Sequence, residues 1–265
     1  LASWLGLGPT KTLEIQNGAL SLATPSPALL NDPRLRRGQL LLRMGHFNEA
    51  REQLEALREA TVDDALTQYQ LSLLFRDMGL YRSSIIAAAT VWRHSPSFDV
   101  TTLPRFLGCL IYPTYFSDLV ASNAARFDLH PLVIYALLRQ ESLFEGFATS
   151  YAAAHGLMQV IPPTGASIAA PLGWPPDYET RDLYRPMVSV RFGIWYLAQQ
   201  RDRFDGNLYA AMAGYNGGPN NAARWLEAAS GDTDLFVELI GFRETRTYVR
   251  RITEHFAKYR WLYDK

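Results

Sequence analysis

Apolar residues recur along this chain at helical spacing, and no segment sustains the every-second-residue alternation of a half-buried strand. The pattern predicts an all-α protein. Residues 1–30 are rich in turn formers, with Pro9, Pro25 and Pro27 among short apolar runs. Helical patterning starts at Pro33 and breaks over 98–113 at Pro104, Gly108 and Pro113. A proline suits the first turn of a helix, so Pro131 opens one running to about Phe144. Leu132, Val133, Tyr135, Ala136 and Leu137 give that helix apolar faces on most sides, as in a buried helix. Residues 146–186, rich in Gly and Pro, read as loops around shorter helices. Further helices are expected over 188–204, with Phe192, Trp195 and Tyr196 on the buried side, and over 207–215, 219–229 and 244–260.

Within the first helical stretch, Leu40-Leu41-Leu42-Arg43-Met44-Gly45-His46-Phe47 is echoed by Leu73-Leu74-Phe75-Arg76-Asp77-Met78-Gly79-Leu80-Tyr81, with the glycines 34 residues apart. That is the period of tetratricopeptide (TPR)-like helix pairs. Ala50 and Ser84 fall at the matching small position and Pro96 closes the second copy. Two copies are fewer than usually stand alone, so they either continue a longer array or pack on the helices C-terminal to them. The expected organisation is TPR-like helical repeats over 1–97, a linker over 98–111, and a second helical domain over 112–265.

The 265 residues are 48% hydrophobic, enough for a sizeable core, and 26 Lys+Arg balance 26 Asp+Glu. A balanced chain offers no broad field for capturing nucleic acid or an anionic membrane. No transmembrane segment is expected, since no run approaches roughly 18 apolar residues. The one cysteine, Cys109, reads as a buried small hydrophobe. A start at Leu1 suggests a fragment or processed product, so the lack of a signal peptide carries no information.

The candidate chemistry centres on Glu141, in Arg139-Gln140-Glu141-Ser142 at the end of the apolar helix. Such a carboxyl is at least partly desolvated, which favours its neutral form. A carboxylic acid kept protonated near neutrality can donate to a glycosidic oxygen. Gly156-Leu157-Met158-Gln159 adds a close backbone approach at glycine, apolar packing, and an amide suited to sugar hydroxyl and N-acetyl groups. Tyr215-Asn216-Gly217-Gly218 joins an aromatic hydroxyl to a glycine-rich turn.

With these motifs in order, the chain from about Tyr112 to Tyr263 resembles the soluble lytic transglycosylases, whose catalytic domain is lysozyme-like. The resemblance rests on Arg139–Ser142 with Phe144, Ala148 and Ser150 behind it, on Gly156–Gln159 with Pro162 and Thr164, on Tyr215-Asn216 with Gly218 and Trp225, and on Glu244-Thr245-Arg246 with Tyr248-Val249. The repeat-like first half resembles the helical superhelix that precedes this domain in large soluble members. Carried over, the resemblance implies Glu141 as catalytic acid and then base, with Ser150 on the N-acetyl group beside the scissile bond. Gln159, Thr164, Tyr215 and Asn216 would bind sugar, Tyr215 also orienting the reacting residue. Glu244 would face substrate and Tyr248 the catalytic carboxyl. The family's Ser-Pro-x-Gly-Ala stretch reads Ser150-Tyr151-Ala152-Ala153-Ala154 here, so Ala153 replaces a usual glycine. Gly146 and Gly241 replace usual prolines, Gly214 an alanine and Ile161 a frequent methionine. These changes alter stiffness and packing without removing a proton donor or acceptor.

The implied activity is cleavage of the bond between N-acetylmuramic acid and N-acetylglucosamine in peptidoglycan glycan strands, giving 1,6-anhydro ends, without cofactor or metal. Ordinary glycosidases need two carboxyl groups. Glu145, Asp177 and Asp182 are the second carboxyls to consider if the enzyme is instead a goose-type-like muramidase that admits water. A non-catalytic wall-binding scaffold is the third reading. The substrate would place the protein in the periplasm or cell envelope, and the concave face of the repeats offers a docking surface for a protein partner.

Overall fold

The computed structural model describes residues 21–95 and 99–264, together with Leu5 and Glu14. Pro9 and Pro96 lie outside the described residues. Regular structure among the described residues is helical, apart from isolated β-bridges pairing His155 with Thr149 and with Val160. The chain divides into two compact units, Leu1–Pro113 and Thr114–Lys265.

In the first unit a single turn, α1 (Pro27–Leu30), precedes two helical hairpins, α2 (Pro33–Arg43) with α3 (Phe47–Ala60) and α4 (Ala65–Asp77) with α5 (Tyr81–Arg93). Asp32 and Asp64 cap the N-termini of α2 and α4 with their carboxylates. The two hairpins turn alike. Gly45 N–H donates to Leu42 O and His46 N–H to Leu41 O; 34 residues on, Gly79 N–H donates to Arg76 O and Leu80 N–H to Phe75 O. Both are Schellman closures with glycine in the left-handed region, at φ +80° and +75°. The small-residue contacts repeat as well. A Cβ on Gly38 would lie 2.6 Å from the Leu54 side chain, and Ala50 is fully buried. At the equivalent positions Ser84 Oγ donates to Ser72 O at 2.7 Å. Leu35, Leu54, Leu57, Leu71, Phe75 and Ala87 form a shared core.

The stretch read as a linker contains a helix, α6 (Arg105–Ile111). Pro104 sits at its N-cap, where proline starts a helix rather than breaks one, and Leu107, Leu110 and Ile111 are buried. Cys109 within it is only half-buried, not the buried hydrophobe expected.

The second unit contains α7 (Ser117–Arg126), α8 (Pro131–Ser142), α9 (Pro162–Leu172), a 3₁₀ turn over Thr180–Tyr184, α10 (Pro186–Arg203), α11 (Leu208–Gly217), α12 (Pro219–Ala228), α13 (Thr233–Leu239) and α14 (Arg243–Tyr263). Proline opens α8, α9, α10 and α12. All seven residues from Leu132 to Leu138 are buried, so α8 is a central helix carrying Glu141 in its last turn. It packs on α7 and α14, while α11 packs on α10, α12 and α14. The ends of α8, α11 and α14 thereby bring distant motifs to one place.

Candidate active site

Helix α8 ends against the loop that forms the opposite wall. Ser142 Oγ donates to Leu157 O at 2.8 Å, fastening the residue after Glu141 to the Gly156–Gln159 segment. Leu143 and Phe144 then reverse the chain with successive left-handed conformations, φ 50° and 64°. Phe144 is buried, edge-on to Tyr115 with ring centres 5.5 Å apart. Such conformations cost non-glycine residues roughly 1–2 kcal/mol each and need surrounding packing to hold them.

The Gly156–Gln159 loop is pinned from several sides. Gly156 has φ +75°, and a Cβ there would stand 2.0 Å from Leu183 O. Met158 N–H donates to Ser189 Oγ at 3.1 Å, and its side chain fits against Gly193 of α10, where a Cβ would come within 2.4 Å. Tyr215, from α11, donates its hydroxyl to Met158 O at 2.7 Å. Gln159 has φ 47°, and its amide nitrogen donates to Gly156 O at 2.8 Å and Ala148 O at 3.2 Å. Thr245 Oγ1 donates to Asn216 Oδ1 at 2.7 Å and links α14 to α11.

Around these elements lies a cavity of about 320 Å³. Its walls include Glu141, Ser150, Gln159, Thr164, Tyr215, Asn216 and Glu244, so seven of the eight residues singled out in sequence converge on it. The eighth, Tyr248, is buried behind Glu141 and donates its hydroxyl to Glu141 Oε1. Tyr215 is the partial departure: it lines the cavity, but its hydroxyl holds the Met158 carbonyl and not a reacting group. Sequence reasoning missed Tyr196, which also lines the cavity with its ring 5.2 Å from that of Tyr215. Gly214, where alanine is usual, is explained locally, since a Cβ would meet Gln200 Oε1 at 2.9 Å and Phe204 at 3.0 Å.

Electrostatics favour a neutral acid at position 141. Burial pushes the Glu141 carboxyl up to about 8; the Tyr248 hydrogen bond pulls it down and the negative charge of Glu244 adds to the rise. Burial first, and the nearby Glu141 next, hold the Tyr215 and Tyr248 hydroxyls well above their usual value, so both remain donors. The second carboxyls considered in sequence do not line this cavity. Asp177 is exposed, and Asp182 accepts from Glu179 N–H and pairs with Arg185 at 3.2 Å. Among the described residues the other acid in the cavity wall is Glu244.

A buried helix thus presents one glutamate, pushed towards its neutral form, to a polar groove. Residues 118–234 match the family model described as "Transglycosylase SLT domain". That match and the relatives it agrees with support the soluble lytic murein transglycosylase family for this chain. It is 28% identical over 259 residues to the soluble lytic murein transglycosylase of Salmonella typhimurium, a match covering 96% of this chain and 37% of that protein. Among solved structures it resembles an inactive glutamate-to-glutamine mutant of the lytic transglycosylase Slt from Pseudomonas aeruginosa, with TM-score 0.73, 27% identity, and coverage of 94% of this chain and 40% of that one. The 70 kDa soluble lytic transglycosylase of Escherichia coli has the same fold, with TM-score 0.76 at 23% identity over 98% of this chain and 42% of that one. The chain thus spans about two fifths of each of these three proteins. Among the described residues no helix is long and apolar enough to cross a membrane.

Proposed function

We propose that this chain cleaves the β-1,4 bond between N-acetylmuramic acid and N-acetylglucosamine in peptidoglycan by intramolecular transglycosylation. The observation that carries this reading is the placement of Glu141 at the end of a buried helix, its carboxyl pushed towards the neutral form, in a groove whose other acid, Glu244, lies exposed on a different helix. Glu141 gives its proton to the glycosidic oxygen, and the N-acetylglucosamine leaves as its 4-hydroxyl. The muramoyl acetamide oxygen bonds to the anomeric carbon as the bond breaks, as in substrate-assisted glycosidases. The Glu141 carboxylate then takes the proton of the muramoyl C6 hydroxyl, whose oxygen displaces the acetamide and closes the 1,6-anhydro ring. Glu141 ends protonated and no water is consumed. Tyr248 holds the carboxyl in place through both steps. Ser150, which lines the groove, would hold the acetamide. An extracytoplasmic location, periplasm or envelope, is inferred from the substrate.

Because Glu244 shares the groove, a muramidase that activates water is the second reading, with Glu244 as its base. Mass spectrometry of muropeptides released from purified peptidoglycan separates the two. Transglycosylation gives products lighter by one water and without a reducing muramoyl end; reducing ends would establish hydrolysis. Glu141→Gln should lower the release rate by about 10²–10⁴-fold, the usual contribution of a general acid. Cleavage at the parent rate by that variant would remove Glu141 from the mechanism. The rate should also fall as pH rises through about 8, where Glu141 loses its proton.

A further inference from the structure

Beside the groove stand aromatic rings that the reaction does not use. The chain after Ser150 makes a tight turn: Ser150 N–H donates to Ala154 O at 2.9 Å, Ala153 N–H to Ser150 O at 3.0 Å, and Ala154 N–H to Ser150 Oγ at 3.0 Å. Ser150, Ala152 and Ala154 line the cavity, so Tyr151 sits between two of its wall residues. Yet Tyr151 is as exposed as in an extended chain, at 109%, and Phe147 is 69% exposed. The Phe147 ring stacks on Tyr184, with centres 6.2 Å apart and planes at 29°. Tyr184 in turn is anchored, its hydroxyl within 2.7 Å of both Thr149 Oγ1 and His155 Nδ1. Thr149 and His155 are bridged across the base of the same turn. Platform and groove therefore share one backbone segment.

A cavity of about 320 Å³ is small against a polymeric strand, which must continue over the surface beyond it. Pyranose rings are apolar on the C–H faces, and an aromatic face carries a negative quadrupole that attracts polarised C–H groups. An exposed aromatic continuous with a glycan groove is therefore matched to the next sugars of that strand. We propose that Tyr151 and the Phe147–Tyr184 pair form an outer glycan subsite, a stacking platform for sugar rings beyond those held in the groove. The proposal rests on the reading of the groove as a peptidoglycan site.

The test is binding without turnover, in a Glu141→Gln background, to purified insoluble peptidoglycan and to a soluble disaccharide short enough to occupy the groove alone. A double Phe147→Ala, Tyr151→Ala variant should raise the Kd for insoluble peptidoglycan about tenfold, at about threefold per ring. The disaccharide Kd should change by less than about twofold, and Tyr151→Phe should bind like its parent. Equal weakening on both ligands would mean groove damage and overturn the platform. Unchanged binding would also overturn it, and if the double variant then lost self-association by sedimentation, the rings would belong to a contact between copies. Muropeptide release by the unsubstituted protein is scored separately. Its absence would sink the lytic reading, while the binding measurement would still decide the platform.

Discussion

The two units turn the chain in opposite ways. In the first, the described left-handed residues are Gly45 and Gly79, which adopt that conformation without steric cost. In the second, nine non-glycine residues do so, among them Leu143, Phe144, Ala153 and Gln159 around the groove. The ionisable groups shifted furthest lie in the second unit. The shifted acids of the first unit, Asp32 and Asp99, are pulled down by hydrogen bonds, to the Arg34 side chain and to the Thr101 backbone respectively. In the second, burial pushes Glu141 up to about 8 and His255 down to about 3. A stack of helices can be built from relaxed parts. A site that buries an acid and bends a loop around it concentrates strain and desolvation, which packing elsewhere must offset.

The largest contrast is expected between two glycine-to-alanine changes. At Gly156 the new Cβ combines a left-handed backbone with a 2.0 Å approach to Leu183 O. Gly156→Ala should cost about 3 kcal/mol or more and displace the Gln159 loop, lowering muropeptide release about a hundredfold. Gly45→Ala meets nothing within 4 Å, so its cost is the backbone term alone, about 1 kcal/mol, with release unchanged. Urea unfolding and release assays on both variants read the difference. Equal costs would erase the distinction between the units.

The pH dependence of stability sharpens the same contrast. Glu141 is held at about 8 in the fold against an ordinary value of 4.5, so between these values the folded protein keeps a proton that the unfolded chain releases. Its contribution is fully present below pH 4.5 and is lost as pH rises through 8. Glu141→Gln has no proton to lose, so its Tm relative to the parent should climb across that window. A flat difference would mean that Glu141 is ionised in the fold. His255 has the opposite sign. Burial first, then the positive charges of Arg139, Lys258 and Arg251, depress it, so stability present above pH 6.5 is lost as pH falls towards 3.

The sequence was legible where local chemistry decides structure. Pro131, Pro186 and Pro219 mark helix starts within two residues of those expected, and the 34-residue echo reappears as paired Schellman turns. It was illegible where tertiary context decides. Pro104 and Gly108 read as breakers, yet the buried side chains of Leu107, Leu110 and Ile111 hold a helix there. The seven-residue α13 was too short to show a period. Tyr196 fell on the apolar side of its helix, and periodicity does not distinguish a side that meets core from one that meets a cavity. The pairing of Tyr248 with Glu141 spans 107 residues and came from family resemblance, not from any local pattern. Left-handed Leu143, Phe144 and Gln159 carry no glycine to announce them.

Ala153 is where family pattern and geometry meet, and it supports the smallest prediction. Glycine is usual there, and the alanine sits at φ 57° in the turn closed by Ser150 and Ala154. Its left-handed backbone costs roughly 1–2 kcal/mol, which glycine would relieve. Glycine also gives the unfolded chain more freedom, offsetting about 0.4–1 kcal/mol of that gain. Ala153→Gly should therefore stabilise the protein by about 0.5 kcal/mol, raising Tm by roughly 1–2 °C, with muropeptide release within about twofold of the parent. The neighbouring Ala152 lacks a positive φ, so Ala152→Gly carries only the entropic loss and should lower Tm. Opposite signs at adjacent alanines would locate strain in the turn that carries Ser150. If both substitutions lower Tm, the turn is relaxed, and the concentration of strain in the second unit must be sought at Leu143, Phe144 and Gln159 instead.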